Sequence, residues 1–206
     1  YFISKPFWPG QFQKEVILQS IDQESLIKLN LLNKDNIRLR EILSLQQSSN
    51  NDNISAAVIS RKTGGWWRQI ILNKGSKDGV EIGSTVTGPG GLLGRVNNTS
   101  LFTSSVTLLT SPESKLGVWV DRSQINGLLV GSGDDHPSLI LYSKEADIKV
   151  GDFVSSSPAS SLLPPNIPIG IVKSIDETSQ SKKTAKISLL AKPHLIDWVQ
   201  ILKLNI

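Results

Sequence analysis

The spacing of apolar residues changes once along this chain, and the change separates a helical part from a β part. Residues 11–47 contain no proline or glycine, and leucines recur there at the three- and four-residue intervals of a helix. From Ile54 onward, apolar residues form short β-branched runs separated by glycine, proline, asparagine and serine. Such runs with regular turn signals are typical of barrels and sandwiches. The pattern predicts a mainly β protein with an N-terminal α-helix.

The leucine spacing fits a heptad repeat in the C-terminal half of the helical part. The seam consists of Leu29, Leu32, Asn36, Leu39 and Leu43. An asparagine at position a favours a parallel, two-stranded coil in a fixed register, and Asp35 at g can pair with Arg40 at e of the partner helix. We therefore predict a homodimer through these five residues. The alternative is an amphipathic helix that docks on its own domain.

Two segments of different composition flank the helix. Residues 1–10 combine aromatics with a lysine and two prolines, which suits a membrane–water interface; a disordered terminus is the alternative. Residues 48–55 belong to a polar run rich in serine and asparagine, which favours turns and buries little apolar area. The sequence thus predicts a membrane-proximal segment over 1–10, a coiled-coil helix over 11–47 and a linker over 48–55.

Four short strings occur twice in the β part, in the same order. The first copy has them at 70–72, 80–86, 94–96 and 106–112, and the second at 139–141, 148–154, 170–172 and 187–193. Each copy ends in a strand with a tryptophan, Trp119 or Trp198. Ordered duplication marks related structural units packed side by side. We predict two related small β-barrels, over 56–135 and 136–206, with the tryptophans at related positions and strand exchange between the units left open.

The second copy is longer because it contains an irregular insertion from Ser157 to Ile169, rich in serine and proline. Prolines lack the N–H needed for strand pairing, and they stiffen a loop before it binds. We predict that Leu162, Leu163 and Ile167 form a partner-binding surface. The alternative is that Leu162 and Leu163 plug the end of the second barrel.

Composition narrows the functional classes. The 206 residues carry a net charge of +4 and no run of Lys and Arg with interleaved aromatics, so we predict no nucleic-acid binding. The absence of cysteine removes thiolate metal sites and cysteine nucleophiles. No stretch reaches the roughly 20 apolar residues of a membrane span. Because the chain also lacks methionine, even at position 1, we expect a processed chain or a fragment, with an anchor upstream of Tyr1 left open.

Three candidate chemical sites are weak. The glycines of segment 88–94 lack the dinucleotide-binding spacing and run into a strand, which favours a hairpin turn. The turn 134–136, Asp-Asp-His, offers fewer ligands than a zinc site needs. Neither His136 nor His194 falls at an equivalent place in the two copies, and the sequence has no coherent Ser-His-Asp set. We predict no catalytic, cofactor-binding or metal-binding residues.

Several strings resemble the MreC family of rod shape-determining proteins. They are Leu32–Leu43, Asn73–Val80, Gly91–Val96, Asn126–Gly131 and Asp147–Asp152. Gly91–Val96 matches the family's Gly-Leu-x-Gly-Arg-Val motif, and Asn73–Val80 has the form of the family's Asn-Lys-Gly motif. The chain departs from the family in the loop 158–165, which lacks the usual glycines.

The resemblance implies a non-enzymatic scaffold of the cell-shape and peptidoglycan elongation machinery. It implies two barrels of chymotrypsin-like form without catalysis, placed in the periplasm, on the extracytoplasmic face of the bacterial inner membrane, and anchored by a single membrane helix before Tyr1. The implied partners are a class B penicillin-binding transpeptidase, a glycosyltransferase, MreD and, across the membrane, MreB. Oligomers beyond the dimer, including filaments, stay open.

Two other classes remain as alternatives. The first is a chymotrypsin-like hydrolase or its inactive relative, because paired β-barrels suit that fold. The second is a periplasmic adaptor of an efflux pump. An adaptor carries a helical hairpin inserted between β parts, whereas the helix predicted here is single and N-terminal, which argues against this class.

Overall fold

The computed structural model describes residues 23–34, 53–62, 68–143, 145–176 and 182–202. The chain divides into two units, Tyr1–Asn51 and Asp52–Ile206. In the first unit, residues 23–34 are helical and every one of their side chains is exposed. No helix in the described part is long and apolar enough to cross a membrane. Of the predicted seam, Leu29 and Leu32 lie on this helix, whereas Asn36, Leu39 and Leu43 lie outside the described residues.

The second unit consists of short strands, as the apolar runs predict. In chain order they are β1 (Ile54–Lys62), β2 (Gln69–Leu72), β3 (Thr85–Gly88), β4 (Gly91–Thr99), β5 (Ser104–Leu108), β6 (Lys115–Val120), β7 (Ile125–Val130), β8 (Ser138–Leu141), β9 (Phe153–Ser156), β10 (Pro168–Asp176), β11 (Lys183–Leu189) and β12 (Trp198–Leu202). Single turns of 3-10 helix, Ser76–Asp78 and Pro193–Leu195, lie in two of the connections.

The strands form two closed antiparallel barrels of six strands each. Around the first barrel the order is β1-β12-β3-β4-β5-β2, and around the second it is β7-β6-β9-β10-β11-β8. Each strand of the first barrel therefore has a counterpart at the same place in the second: β1 matches β7, β12 matches β6, and β3, β4, β5 and β2 match β9, β10, β11 and β8. The matching orders confirm that the β part is a duplicated unit.

The division of strands between the barrels differs from the predicted boundary at residue 135. Strands β6 and β7 close the second barrel, although they precede that boundary, and β12 returns from the C-terminal end to close the first. The inward-facing residues explain this choice: Val199 and Ile201 of β12 are buried in the first core, whereas Val118 and Val120 of β6 are buried in the second. The structure shows the strand exchange that the sequence left open.

The two tryptophans occupy matching strands but different registers. Val120 pairs with Val154 in the second barrel, and Ile201 pairs with Val86 at the matching place in the first. Trp198 therefore lies two residues before the counterpart of Trp119. Because side chains alternate between faces with a period of two, both rings lie on the outside of their barrels. The predicted relation holds for the strand and the face but not for the residue position.

The barrels meet along β4, which contributes to both cores. Leu93 is buried in the first core, whereas its neighbour Leu92 is buried in the second, together with Leu109 from the segment after β5. Fully buried side chains of this size contribute about 1.5–3 kcal/mol each to folding. The apolar contact across the junction makes each barrel part of the other's packing.

A glycine at matching positions lets β4 and β10 approach their neighbours closely. A Cβ atom on Gly94 would lie 2.0 Å from the carbonyl oxygen of Thr107, and one on Gly170 would lie 2.5 Å from Cγ2 of Ile187. Neither distance is compatible with a side chain. The glycine of the Gly-Arg-Val string is thus required by strand packing.

We predict that Gly94→Ala destabilises the protein by about 1–3 kcal/mol, because the added methyl group forces β4 away from β5. Gly117→Ala is the matched control, since a Cβ atom there would meet only Ser160 at 3.8 Å. Thermal unfolding of both variants checks the prediction. Equal melting temperatures for the two variants would contradict the close approach.

Candidate functional site

The described part of the helix presents large apolar side chains to solvent. Leu29 and Leu32 of the predicted seam are 63% and 59% exposed, and Leu26, Ile27 and Leu31 are also exposed. Exposed apolar side chains of this size are candidates for contact with a partner. The helix is therefore a candidate pairing surface.

The insertion after β9 divides its apolar residues between the core and the surface. Leu163 is buried in the core of the second barrel and Ile167 packs against that core, whereas Leu162 is 44% exposed. Ser156 fixes the loop: its Oγ donates to the carbonyl of Pro164 at 2.6 Å and accepts from the N–H of Ile167 at 2.8 Å. Of the three residues predicted to bind a partner, Leu162 is the accessible one.

An apolar pair on the outer face of the second barrel was missed by the sequence interpretation. Phe153 on β9 pairs across strands with Ile171 on β10, and Phe153 is 56% exposed. The matching pair of the first barrel is Thr85 with Arg95, so the two outer faces differ at the same place. Comparing the two copies for such apolar-to-polar differences would have revealed the pair.

Arg122 holds the turn that carries this surface. Its guanidinium donates to both carboxylate oxygens of Asp152, at 2.8 and 2.9 Å, and to Asp147 at 2.6 and 3.1 Å. Asp152 also accepts from the N–H of Lys149 at 2.8 Å. Gly151 in this turn has φ +94°, a conformation that other residues rarely adopt. The network fixes the approach to Phe153, because Asp152 immediately precedes it.

The charges of this network stabilise one another. Hydrogen bonds from Arg122 lower the pKa of both the Asp152 and the Asp147 carboxyl. The same bonds raise the pKa of Arg122. Asp152 has 8% of its side chain exposed and Asp147 58%. Because the contribution of an exposed pair is screened by solvent, Asp152 is the more important partner.

A separate ion pair, outside the Arg122 network, joins the two barrels. Arg68, which precedes β2 of the first barrel, donates to Asp135 in the β7–β8 connection of the second at 2.8 Å. The hydrogen bond from Arg68 lowers the pKa of the Asp135 carboxyl. The ion pair lies at the junction of the barrels, as Leu92 and Leu109 do. Because Asp135 is 86% exposed, solvent screens the ion pair, and the apolar contact is the more important one.

Ser132, Asp134 and His136 lie in one turn but do not have the geometry of a catalytic triad. Ser132 Oγ contacts Asp134 Oδ1 directly at 2.6 Å and the backbone carbonyl of His136 at 2.9 Å. The His136 ring instead has Nε2 at 2.9 Å from Nζ of Lys173. A triad needs the imidazole between the hydroxyl and the carboxylate, so this turn cannot activate Ser132. The described ranges contain no group of three or more metal-ligating side chains.

The motif at residues 73–80 builds a connection rather than a binding site. Asn73 Oδ1 accepts the N–H of Ala57 at 2.7 Å, which ties this connection to β1. Lys74 pairs with Asp78 at 2.7 Å, and Asp78 accepts the N–H of Gly75 at 3.1 Å. These contacts account for the residue types of the string.

Comparison with known proteins decides the family. The family model described as rod shape-determining protein MreC, barrel core, matches residues 58–203. This chain belongs to the MreC family. The cell shape-determining protein MreC of Listeria monocytogenes is 32% identical over 179 residues, covering 84% of this chain and 61% of the relative. MreC of Caulobacter vibrioides is 30% identical over 172 residues, covering 83% and 48%. The chain spans about half the length of such relatives.

Solved MreC structures have the same architecture. The Listeria monocytogenes structure matches with a TM-score of 0.78 at 29% identity, covering 97% of each chain. A Helicobacter pylori structure, described as a complex between Penicillin-Binding Protein (PBP2) and MreC, matches with a TM-score of 0.62 at 15% identity, covering 75% of this chain and 98% of that one. The second match shows the fold alone. Both the family resemblance of the motifs and the two-barrel fold class are confirmed.

We predict that Asp152→Asn lowers the melting temperature of this MreC chain at pH 7 more than Asp147→Asn does, because Asp152 is the buried partner of Arg122. The lowered pKa of Asp152 means that its stabilisation is present above about pH 4, the ordinary range of a free carboxyl, and is lost as pH falls through the folded value. Melting curves between pH 7 and 3 test this. A difference between wild type and Asp152→Asn that persists undiminished at pH 3 would contradict it.

Proposed function

We propose that this MreC chain is a non-enzymatic scaffold that binds and positions the enzymes of peptidoglycan synthesis during cell elongation. The observation that carries the proposal is its membership in a family of cell shape-determining proteins, with a Helicobacter pylori member described in complex with a penicillin-binding protein. The structure supports it in two ways: rigid barrels present apolar side chains to solvent, and Ser132 and His136 are engaged in contacts that do not favour catalysis.

The proposed setting is the extracytoplasmic face of the bacterial inner membrane. The full-length protein would be anchored there by one membrane helix, and its partners would be a class B penicillin-binding transpeptidase, MreD and other proteins of the elongation complex. The family membership supports this setting.

The second barrel is the proposed transpeptidase-binding surface. It offers Leu162 on a loop stiffened by prolines and the exposed Phe153 beside Ile171. Binding energy in protein interfaces is concentrated in a few well-placed aromatic and apolar anchors. Both surfaces are fixed before binding, the loop by Ser156 and Phe153 by the Arg122 network, so that little ordering entropy is lost.

We predict that Leu162→Ser weakens capture of the transpeptidase at least tenfold, about 1.4 kcal/mol, with little change in melting temperature because Leu162 is partly exposed. Leu163→Ser should instead lower the melting temperature strongly, since it places a hydroxyl in the core. Binding is measured by surface plasmon resonance on an immobilised transpeptidase.

Leu101→Ser is the matched control, because Leu101 is 57% exposed on the first barrel. It should leave capture unchanged. Phe153→Ser reports on the second surface of the same barrel. If Leu162→Ser and Phe153→Ser both bind as Leu101→Ser does, the second barrel is not the transpeptidase surface.

The helix is the proposed dimer interface, through Leu29, Leu32, Asn36, Leu39 and Leu43. In a parallel pair, Leu32 lies at position d and faces its own copy, whereas Leu31 at position c points away. The exposure of Leu29 and Leu32 in the single chain supports a partner for this helix.

We predict that Leu32→Cys oxidises to a disulfide-linked dimer and that Leu31→Cys, the adjacent control, stays monomeric on a non-reducing gel. Sedimentation of the wild-type chain should give twice the mass of one copy. A single-chain mass, or equal cross-linking at both positions, would overturn the parallel dimer.

A further inference from the structure

An open groove of about 400 Å³ lies on the outer face of the first barrel beside Trp198. Its apolar lining includes Trp198 and Pro89, and its polar side chains are Ser55, Thr87 and Gln200. The proposed transpeptidase surface does not contribute to it. The groove therefore needs an explanation of its own.

Trp198 differs from Trp119, the tryptophan of the matching strand β6, in its exposure and its hydrogen bonding. Trp119 is half-buried, and its Nε1 donates to Ser155 Oγ at 2.7 Å, which is in turn bonded to Asp121. Trp198 is 64% exposed, and its indole N–H has no hydrogen-bond partner among the described residues. A tryptophan left open on a barrel wall presents a flat apolar face with a free donor at its edge. Trp119 has a structural role that Trp198 does not share.

The polar side chains beside Trp198 form a row across three strands. Gln200 on β12 pairs with Ser55 on β1 and with Thr87 on β3, so the three side chains share the outer face over a width of about 10 Å. Trp198 lies two residues before Gln200, about 7 Å along the same strand. The row offers hydroxyl and amide groups that both donate and accept hydrogen bonds, next to an aromatic platform.

Every described side chain that lines the groove is uncharged. Next to the groove, the Arg61 guanidinium and the Asp197 carboxylate form an ion pair with an N–O distance of 2.6 Å, so the two charges neutralise each other. A charged ligand would find no counter-ion among these described side chains. A purely apolar ligand would leave the Ser55 hydroxyl and the Gln200 side-chain amide without partners, whereas the Thr87 hydroxyl already donates to the Gln200 backbone carbonyl at 3.4 Å. The lining suits a neutral ligand that has both apolar faces and many hydroxyl groups.

We propose that this groove binds a neutral glycan strand. The C–H face of one sugar ring would stack on the indole of Trp198, and hydroxyl and acetamido groups of the neighbouring ring would exchange hydrogen bonds with Gln200, Thr87 and Ser55. The preference for a neutral sugar follows from the groove itself. Only the identification of that strand with cell-wall glycan rests on the proposed function, and a scaffold with this second site would hold synthesis enzymes next to their polymer.

The direct test is titration of the 206-residue chain with a neutral trisaccharide of N-acetylglucosamine. Binding is monitored by calorimetry and by the NMR resonances of the indole N–H groups. We expect saturable binding that shifts the Trp198 resonance, and a loss of affinity of at least tenfold in Trp198→Ala. Trp198→Phe should keep part of the affinity, because it retains an aromatic face, and Gln200→Ala should weaken binding severalfold. A sulfated, anionic oligosaccharide of similar length should bind more weakly than the neutral one.

Tyr142→Ala is the matched control, since Tyr142 is an aromatic residue 72% exposed on the second barrel; its affinity for the trisaccharide should equal that of the wild type. Unaltered melting temperatures in the variants establish that the fold is intact. No saturable response of the wild type to the trisaccharide overturns the proposal, as does equal affinity in Trp198→Ala.

Transpeptidase capture by the same variants separates this proposal from the scaffold function. Trp198→Ala should capture the transpeptidase as the wild type does. If it loses capture and the wild type ignores the sugar, the groove is a protein-binding site and the glycan proposal is wrong, while the scaffold function stands. If wild-type capture itself fails while the sugar binds, the scaffold function fails and the glycan site remains.

Discussion

The arrangement depends on one constraint: every strand edge in a closed barrel must be paired. In this chain, neither repeat closes a barrel with its own six strands alone. Unpaired backbone N–H and C=O groups at a sheet edge are costly and prone to aggregation. The first barrel is closed by β12, which comes from the end of the chain, and β6, which directly follows the first barrel's strands, closes the second. The first barrel is therefore completed by the last strand of the second repeat, and the second barrel by the last strand of the first repeat.

This exchange gives the candidate surfaces a common support. The crossing strands, the leucines of the junction and the contact of Arg68 with Asp135 hold the barrels as one support. The outward-facing residues on that support differ between the two copies: the second barrel has the exposed Phe153 beside Ile171 where the first has the buried Thr85 beside Arg95. The duplicated unit gives the two barrels the same framework, and their outer faces have diverged. The groove beside Trp198 is another such difference, because Trp119 on the matching strand β6 is hydrogen-bonded to Ser155 and Trp198 is open to solvent.

Local patterns in the sequence predicted the features that depend on local interactions. The helix over 23–34, the apolar runs of the strands and the repeated strings all reflect periodicity or turn chemistry, which a single sequence displays. The sequence could not predict which strand completes which barrel. A repeat shows which strands resemble each other, but it does not show the barrel that each strand joins. The contrast between Leu162 and Leu163 was equally hidden, since adjacent residues of an irregular loop follow no period. The Arg122 network joins residues 25 and 30 positions apart, and only the folded chain brings them together.

The claim that strand exchange couples the two barrels is tested most directly by native-state hydrogen exchange with a variant of the second core. Ile187 is fully buried there, and Ile187→Val removes one methylene group at a cost of about 0.5–1.5 kcal/mol. If the barrels unfold together, the slowest amides of β2 and β5 in the first barrel lose as much protection free energy as those of β10 and β11 in the second. Unchanged protection in the first barrel, with losses confined to the second, would contradict the account.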